Sequence, residues 1–320
     1  MRADGGCKIS EPYQNPRILR YSKDLARGRI QIAGMSPYSY ALITPSFRLD
    51  FDRCKLLVES AERWVAPHVH HYLVIDRRDV PMFSSLRSSR TSILIVEDII
   101  PPWLFRLPVT RRFWFSFRTL PVRNWILQQI VKLSIPSVVE KDVLLCTDSD
   151  TFFVAPYDPR EFERDGKVPL FVETGQRGLI KSNDEWHRVA AGLLGLAPEA
   201  SYDTNYIGNV IPWRRDTGLA LQRRISEVTG KPWQLALSYQ PVFAEYILYG
   251  MFTHGVLGQS SGQWDDGELR TLTYWKTIPL GITELQELKA QRLPQHYSVM
   301  ISAKSKTPVA DIRKVFFDPA

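Results

Sequence analysis

The chain has 320 residues, of which 44% are hydrophobic and 23% charged; that composition supplies a sizeable core and excludes an intrinsically disordered chain. Lys and Arg number 41 against 34 Asp and Glu, a net +7 that suits an anionic partner, but no Lys/Arg tract, zinc-finger spacing or RNA-binding signature favours nucleic acid in that role. The three cysteines, Cys7, Cys54 and Cys146, are odd in number and widely spaced, which argues against a disulfide framework and for a reducing compartment.

The N-terminus lacks the apolar core of a signal peptide, and no run approaches the roughly 18 apolar residues of a membrane span. The expectation is a cytoplasmic protein, able to rest against the inner membrane at most. Residues 1–36 carry scattered Gly, Pro and charge without a period and read as a partly ordered extension. From there to residue 303 the pattern is that of one domain, with 304–320 as a polar tail.

Within the domain, strands alternate with helices. Tyr40–Thr44 is a buried-strand run stopped by Pro45, and Asp50 can cap a helix whose Phe51, Cys54, Leu57, Val58, Ala61 and Trp64 share a face. His71–Ile75 and Ser92–Val96 are further strands. A long aromatic and basic connection, 101–123, precedes a helix over Arg123–Leu133, and Val143–Cys146 is a fourth strand. The second half suggests a strand at Pro169–Val172, helices at Glu185–Leu194, Asp216–Val228 (capped by Asp216) and Val242–Tyr249, and strands at Thr271–Trp275 and Tyr297–Ile301. This rhythm predicts an α/β fold with a mostly parallel, Rossmann-like central sheet flanked by helices. Ligands of such sheets gather at the carboxyl ends of the strands, where Thr44, Ser46, Asp76 and Asp148 fall.

The chemistry-bearing motif is Asp148-Ser149-Asp150, set between the apolar runs Val143–Cys146 and Phe152–Val154. In an extended or turned segment residues i and i+2 point the same way, so two carboxylates can face one cation. Mg²⁺ and Mn²⁺ want hard oxygen ligands and commonly combine one or two carboxylates with phosphate oxygens. The same residues also read as a solvated turn with one Asp bonded to nearby backbone.

The segment resembles the Asp-x-Asp motif of GT-A-fold glycosyltransferases. The wider pattern is similar to an uncharacterised bacterial family of that kind, through Leu42–Phe47, Val74–Asp76, Trp125–Leu133, Asp148–Asp150 and Phe243–Gly250. The resemblance implies a GT-A fold with a smaller mixed sheet at the acceptor side. It implies Asp150 as direct ligand of Mn²⁺ or Mg²⁺, with Asp148 at the metal, the ribose or the sugar and in the catalytic group. It places Thr44, Pro45, Ser46 and Ser149 in the nucleotide-sugar pocket, Asp76 at the base or ribose, and Gln129 and Lys132 toward the diphosphate. His296 is the candidate to complete the metal site. The implied partners are a UDP- or GDP-sugar donor and a glycan or lipid-linked acceptor, in bacterial surface-polysaccharide or glycoconjugate synthesis.

Glu245, in an apolar helix, reads as a base, a sugar ligand or an ion-paired structural group, and the resemblance favours the catalytic reading. Asn205 and Asn209 lie on a loop whose amides suit a sugar or acceptor and equally suit a plain helix entry. His68, His70 and His71 have no partner ligands at metal spacing. The 101–123 stretch interleaves Trp103, Phe105, Phe113, Trp114, Phe115 and Phe117 with Arg106, Arg111, Arg112, Arg118 and Arg123, so it suits sugar stacking, peripheral membrane contact or packing on the core. Two rival functions use the same residues. One is a haloacid-dehalogenase-type phosphatase with Asp148 as nucleophile and Asp265-Asp266 as its later acidic pair; the other is a non-catalytic nucleotide- or glycan-binding protein.

Overall fold

In the computed structural model, which describes residues 36–107, 113–180 and 182–318, the first apolar run becomes β1 (Tyr40–Ser46), buried throughout. The strand runs past Pro45, where a stop was expected. Pairing on one side ends at Ile43↔Cys146, so the N–H that Pro45 lacks would have faced an edge already past its ladder, while the other side continues to Ser46↔Ile75. The helix α1 (Phe51–Trp64) follows and buries Cys54, Leu57, Val58 and Ala61. Asp50 stands at its N-cap, but its side chain makes no capping bond, contrary to the sequence reading. Of the extension expected over residues 1–36, residues 1–35, with Cys7, lie outside the described residues, as do Arg111 and Arg112.

The chain continues through β2 (His70–Ile75), the single turn α2 (Val80–Phe83), β3 (Thr91–Ile95) and the single turn α3 (Val96–Ile99). Where only a connection was expected, β4 (Leu104–Phe105), β5 (Phe113–Ser116) and β6 (Val122–Arg123) form a small antiparallel ribbon. Next come α4 (Asn124–Ser134), β7 (Val143–Cys146), β8 (Thr151–Phe153), β9 (Val168–Phe171), α5 (Asn183–Leu194), β10 (Ile211–Arg214) and α6 (Arg215–Thr229). They are followed by α7 (Trp233–Ser238), α8 (Glu245–Phe252), β11 (Gln263–Asp266), β12 (Thr271–Tyr274), α9 (Ile282–Ala290), β13 (Ser298–Ile301) and α10 (Val309–Phe316). No helix among the described residues is long and apolar enough to cross a membrane.

The main sheet has the order β10-β7-β1-β2-β3, with β7, β1, β2 and β3 parallel and β10 antiparallel at one edge. Alternation along β1 explains the two layers that cover it. Ala41 and Ile43 join one core with Ile126, Ile130 and Leu127 of α4 and Ile247 and Leu248 of α8. Tyr40 and Leu42 face the other way and meet Leu57 and Ala61 of α1. The protein is therefore α/β with a mainly parallel sheet between helices, as the rhythm predicted. The parallel order puts the carboxyl ends of β1, β2 and β7 along one edge.

A second, mixed sheet pairs β12 parallel to β13, and β13 antiparallel to β8. Gln263–Asp266, too polar to read as a strand, pairs parallel with β9 because its inward polar groups are satisfied: Gln263 by Tyr249 and Asp266 by Arg270. Asp216 lies inside the first turn of α6 and pairs with Arg214, so it is not the cap. The tail expected to be polar contributes to the core: Ile312 and Val315 of α10 are buried in one cluster with Phe152 of β8, on which Phe316 and Phe317 pack. Gly250 allows another close approach, since a Cβ there would lie 2.2 Å from the ring of Tyr206.

Candidate functional site

The buried strand β7 delivers the acidic motif to the sheet edge. The Thr147 N–H still bonds to the Ile43 carbonyl, 3.0 Å away, which extends the ladder one residue. The chain then turns, the Thr151 N–H reaching the Asp148 carbonyl at 3.2 Å, and enters β8. The two aspartates are thus held at either side of a short turn anchored by a strand from each sheet.

Each carboxylate is fixed on one oxygen. Asp148 Oδ1 accepts from Lys132 Nζ at 2.9 Å, and Asp150 Oδ2 accepts from the backbone N–H of Ala303 at 2.8 Å. Among the described residues Asp148 Oδ2 and Asp150 Oδ1 take no further hydrogen bond. Burial pushes the Asp150 carboxyl up to about 7; Asp148 adds to the rise, the Ala303 N–H opposes it, Asp50 adds again, and Arg53 opposes. Asp50 is raised as well, first by burial, against Arg53, then by Asp148, with the Ser149 hydroxyl holding its charged form. Arg53 is itself committed to structure, donating to the carbonyls of Ile301 at 2.9 Å and Thr307 at 2.8 Å. Three carboxylates therefore share a corner whose one adjacent guanidinium is largely spent elsewhere.

Behind Asp148 the support is layered. Lys132 is buried on α4 and bridges Asp148 to Glu245 Oε1, 2.8 Å away, with its ammonium 4.8 Å from the ring centre of Tyr246. Burial alone would lower the Lys132 pKa, but Asp148 and Glu245 outweigh it and hold the ammonium well above its ordinary value. Gln129, one turn earlier, accepts the backbone N–H of Glu245 on Oε1 at 3.0 Å and so caps α8, whose own N-cap, Ala244, cannot. In front, Asn209 Oδ1 accepts the Asp148 backbone N–H at 3.2 Å. The next residue, Val210, is β-branched yet has φ of 57°, a strained backbone that fixes the amide beside the turn. Asn209 Nδ2, Thr147 Oγ1 and Thr151 Oγ1 are buried with no hydrogen-bond partner among the described residues.

A cavity of about 470 Å³ opens on the same edge, walled by Pro45, Ser46, Phe47 and Leu49 after β1, Asp76 after β2, and Gln128 and Val131 of α4. Asp76 is paired with Arg106 at 3.1 Å, and the Arg106 guanidinium lies 4.6 Å over the ring of Trp114, which also lines the cavity. Burial raises the Asp76 carboxyl in spite of Arg106. The wall does not include the acidic turn. The two are joined through shared elements: Leu49 lines the cavity while Asp50 faces the carboxylates, and Val131 lines it while Lys132 holds Asp148.

The structure thus gathers Asp148, Ser149, Asp150, Lys132, Glu245, Gln129 and Asn209 into one group, and Pro45, Ser46 and Asp76 into the adjoining cavity. Thr44 belongs to neither, since its hydroxyl is in the core, 2.9 Å from His71 Nε2. Asn205 is turned to Glu173 and the Ile207 N–H. His296 does not reach the acidic pair. It precedes β13, whose antiparallel register sets Ser298 against Phe153 and Met300 against Thr151, so His296 lies beyond the far end of β8, roughly 15 Å along the strand from Asp150. The late segment that does meet Asp150 is Ile301–Ala303, through backbone N–H groups. Glu245 is buried behind Lys132, which makes it a positioning residue for Asp148. Asp265 and Asp266 are occupied by His254 and Arg270 on a different sheet, away from Asp148. Sequence reasoning passed over Asp50 as a cap and Arg53 altogether, although a buried arginine on the apolar face of α1 was a visible signal.

Fold and site together define an α/β protein with an acidic turn at the carboxyl edge of a parallel sheet. The chain belongs to a family of unknown function (DUF6492), whose model matches residues 43–270, and with them the acidic turn, Lys132, Asn209 and Glu245. No curated protein matches it.

Proposed function

We propose that this protein is a GT-A-type glycosyltransferase that uses a divalent cation at Asp148 and Asp150 to bind a nucleoside-diphosphate sugar and transfers the sugar to a glycan or lipid-linked acceptor. The observation that carries the reading is the Asp148–Asp150 pair at the carboxyl edge of the sheet, in a corner with Asp50 where negative charge is in excess, on the same edge that carries a cavity of nucleotide size. Among the described residues no three His, Cys, Asp or Glu side chains form a ready metal cage. The donors at hand, Asp148 Oδ2 and Asp150 Oδ1, are two hard oxygens, which fits Mg²⁺ or Mn²⁺ completed by water and phosphate oxygens and does not fit a zinc-type set. Such an ion, when bound, neutralises charge on the departing nucleoside diphosphate.

The chain's own residues do the rest. Lys132 and Asn209 fix Asp148, and the Ala303 N–H fixes Asp150, so each carboxylate is anchored on the side away from its remaining oxygen. Asp76 and Arg106 offer a carboxylate and a guanidinium to ribose and base, and Trp114 closes the apolar wall. The experiment is a thermal-shift and hydrolysis screen of UDP-, GDP- and TDP-sugars with and without Mn²⁺. One donor is expected to stabilise the protein only with metal and to be slowly hydrolysed. Binding without turnover on any acceptor would favour a non-catalytic binder, and trapping of a beryllofluoride adduct on Asp148 would favour the phosphatase reading.

A further inference from the structure

The β4–β6 ribbon has a base and a tip with opposite characters. At the base Trp114 is fully buried under Arg106, and Phe105 packs on Phe115 and Phe117 with ring centres 6.3 and 4.6 Å apart. At the tip, between β5 and β6, Phe117 is 81% and Leu120 85% exposed, close to the exposure of an unfolded chain. Phe113, also exposed, begins β5 at the end away from the tip, opposite Arg123. Arg118, exposed between the two, forms no ion pair among the described residues, and Tyr239 donates its hydroxyl to the Arg118 carbonyl at 2.9 Å. Arg123 is exposed at the return strand.

We infer that the tip Phe117–Leu120 is a membrane-docking wedge that inserts into an anionic lipid surface. Phe117 rests one face on Phe105 and leaves most of its surface to solvent, as does Leu120, and a fluid bilayer accepts such side chains without shape complementarity. Arg118, exposed between the two apolar side chains and in no ion pair among the described residues, matches a negatively charged headgroup layer, with a tyrosine at the rim. The tip and the cavity share this one small ribbon, since Arg106 and Trp114 at its base line the cavity. On the reading above, a docked chain would hold its cavity beside a lipid-borne acceptor, although the docking itself does not depend on that chemistry.

The full chain should co-sediment with vesicles containing phosphatidylglycerol and not with pure phosphatidylcholine, and added salt should weaken the association. Phe117→Asp with Leu120→Asp should weaken vesicle binding at least about tenfold, and Arg118→Gln should weaken it less, with the fold and donor binding retained in both. Absence of binding to anionic vesicles, or equal binding by the double variant, would overturn the inference. So would a wild-type dimer that the double variant converts to monomer without any vesicle binding. Vesicle binding is read without nucleotide, so its failure leaves the proposed transfer chemistry untested by that result, and failure of the transfer chemistry leaves the docking result standing.

Discussion

Asp150→Asn is expected to make the metal-free protein more stable above pH 7 and to reduce metal-dependent turnover by about 10³-fold or more, as loss of a principal electrostatic contact does. The folded-state carboxyl titrates near 7, well above the 3.8 of a free aspartate. Between those values the folded protein keeps a proton that the unfolded chain has released, so stability falls as pH rises through this window and stays low above it. Asparagine keeps an oxygen for the Ala303 N–H and removes the charge that burial, Asp148 and Asp50 oppose. The gain at pH 8 should be about 1–3 kcal/mol, or roughly 2–6 °C in melting temperature, and should vanish near pH 4. Melting curves of both proteins across pH measure it; equal pH dependence would show that Asp150 carries no such burden.

Lys132→Met should be the most destabilising single change at the site, by about 3–5 kcal/mol, because it strands Glu245 as an unpaired charge in the core. Asp148, whose side chain is 45% exposed, can recover water, whereas Glu245, at 7%, cannot. The double variant Lys132→Met with Glu245→Gln should therefore recover much of the loss, while turnover stays low because Asp148 has lost its anchor. Denaturant unfolding of the single and double variants separates the terms. A single variant of wild-type stability would remove the layered support described here.

The fold was legible in the sequence because its strongest signals are periodic. Apolar runs such as Tyr40–Ile43 and Val143–Cys146 specify buried parallel strands, and the α1 and α4 faces specify the helices that cover them. The elements that escaped are those whose order comes from distant partners. Gln263–Asp266 is a strand only because Tyr249 and Arg270 satisfy its polar side chains, and the 113–123 ribbon is built on Trp114 and Arg106. The site was partly legible for the same reason. Asp148 and Asp150 stand where a strand ends, a position readable locally, and Asn209 and Lys132 were in view as candidates. His296 could not be placed from sequence, since the register of β13 against β8 decides whether it faces Asp150 or lies a strand's length away. Asp50 looked like any helix cap until the sheet order brought it beside Ser149.

Calorimetric titration of Mn²⁺ with and without UDP or GDP at pH 7, in buffers of different ionisation heat, measures whether Asp148 and Asp150 share a divalent cation with a nucleoside diphosphate. Mn²⁺ and one nucleotide should strengthen each other's binding, with proton release from Asp150 as the metal enters, and both effects should disappear in Asp150→Asn. Mn²⁺ binding to Asp150→Asn as tightly as to wild type, or nucleotide binding indifferent to metal, would contradict a shared cation.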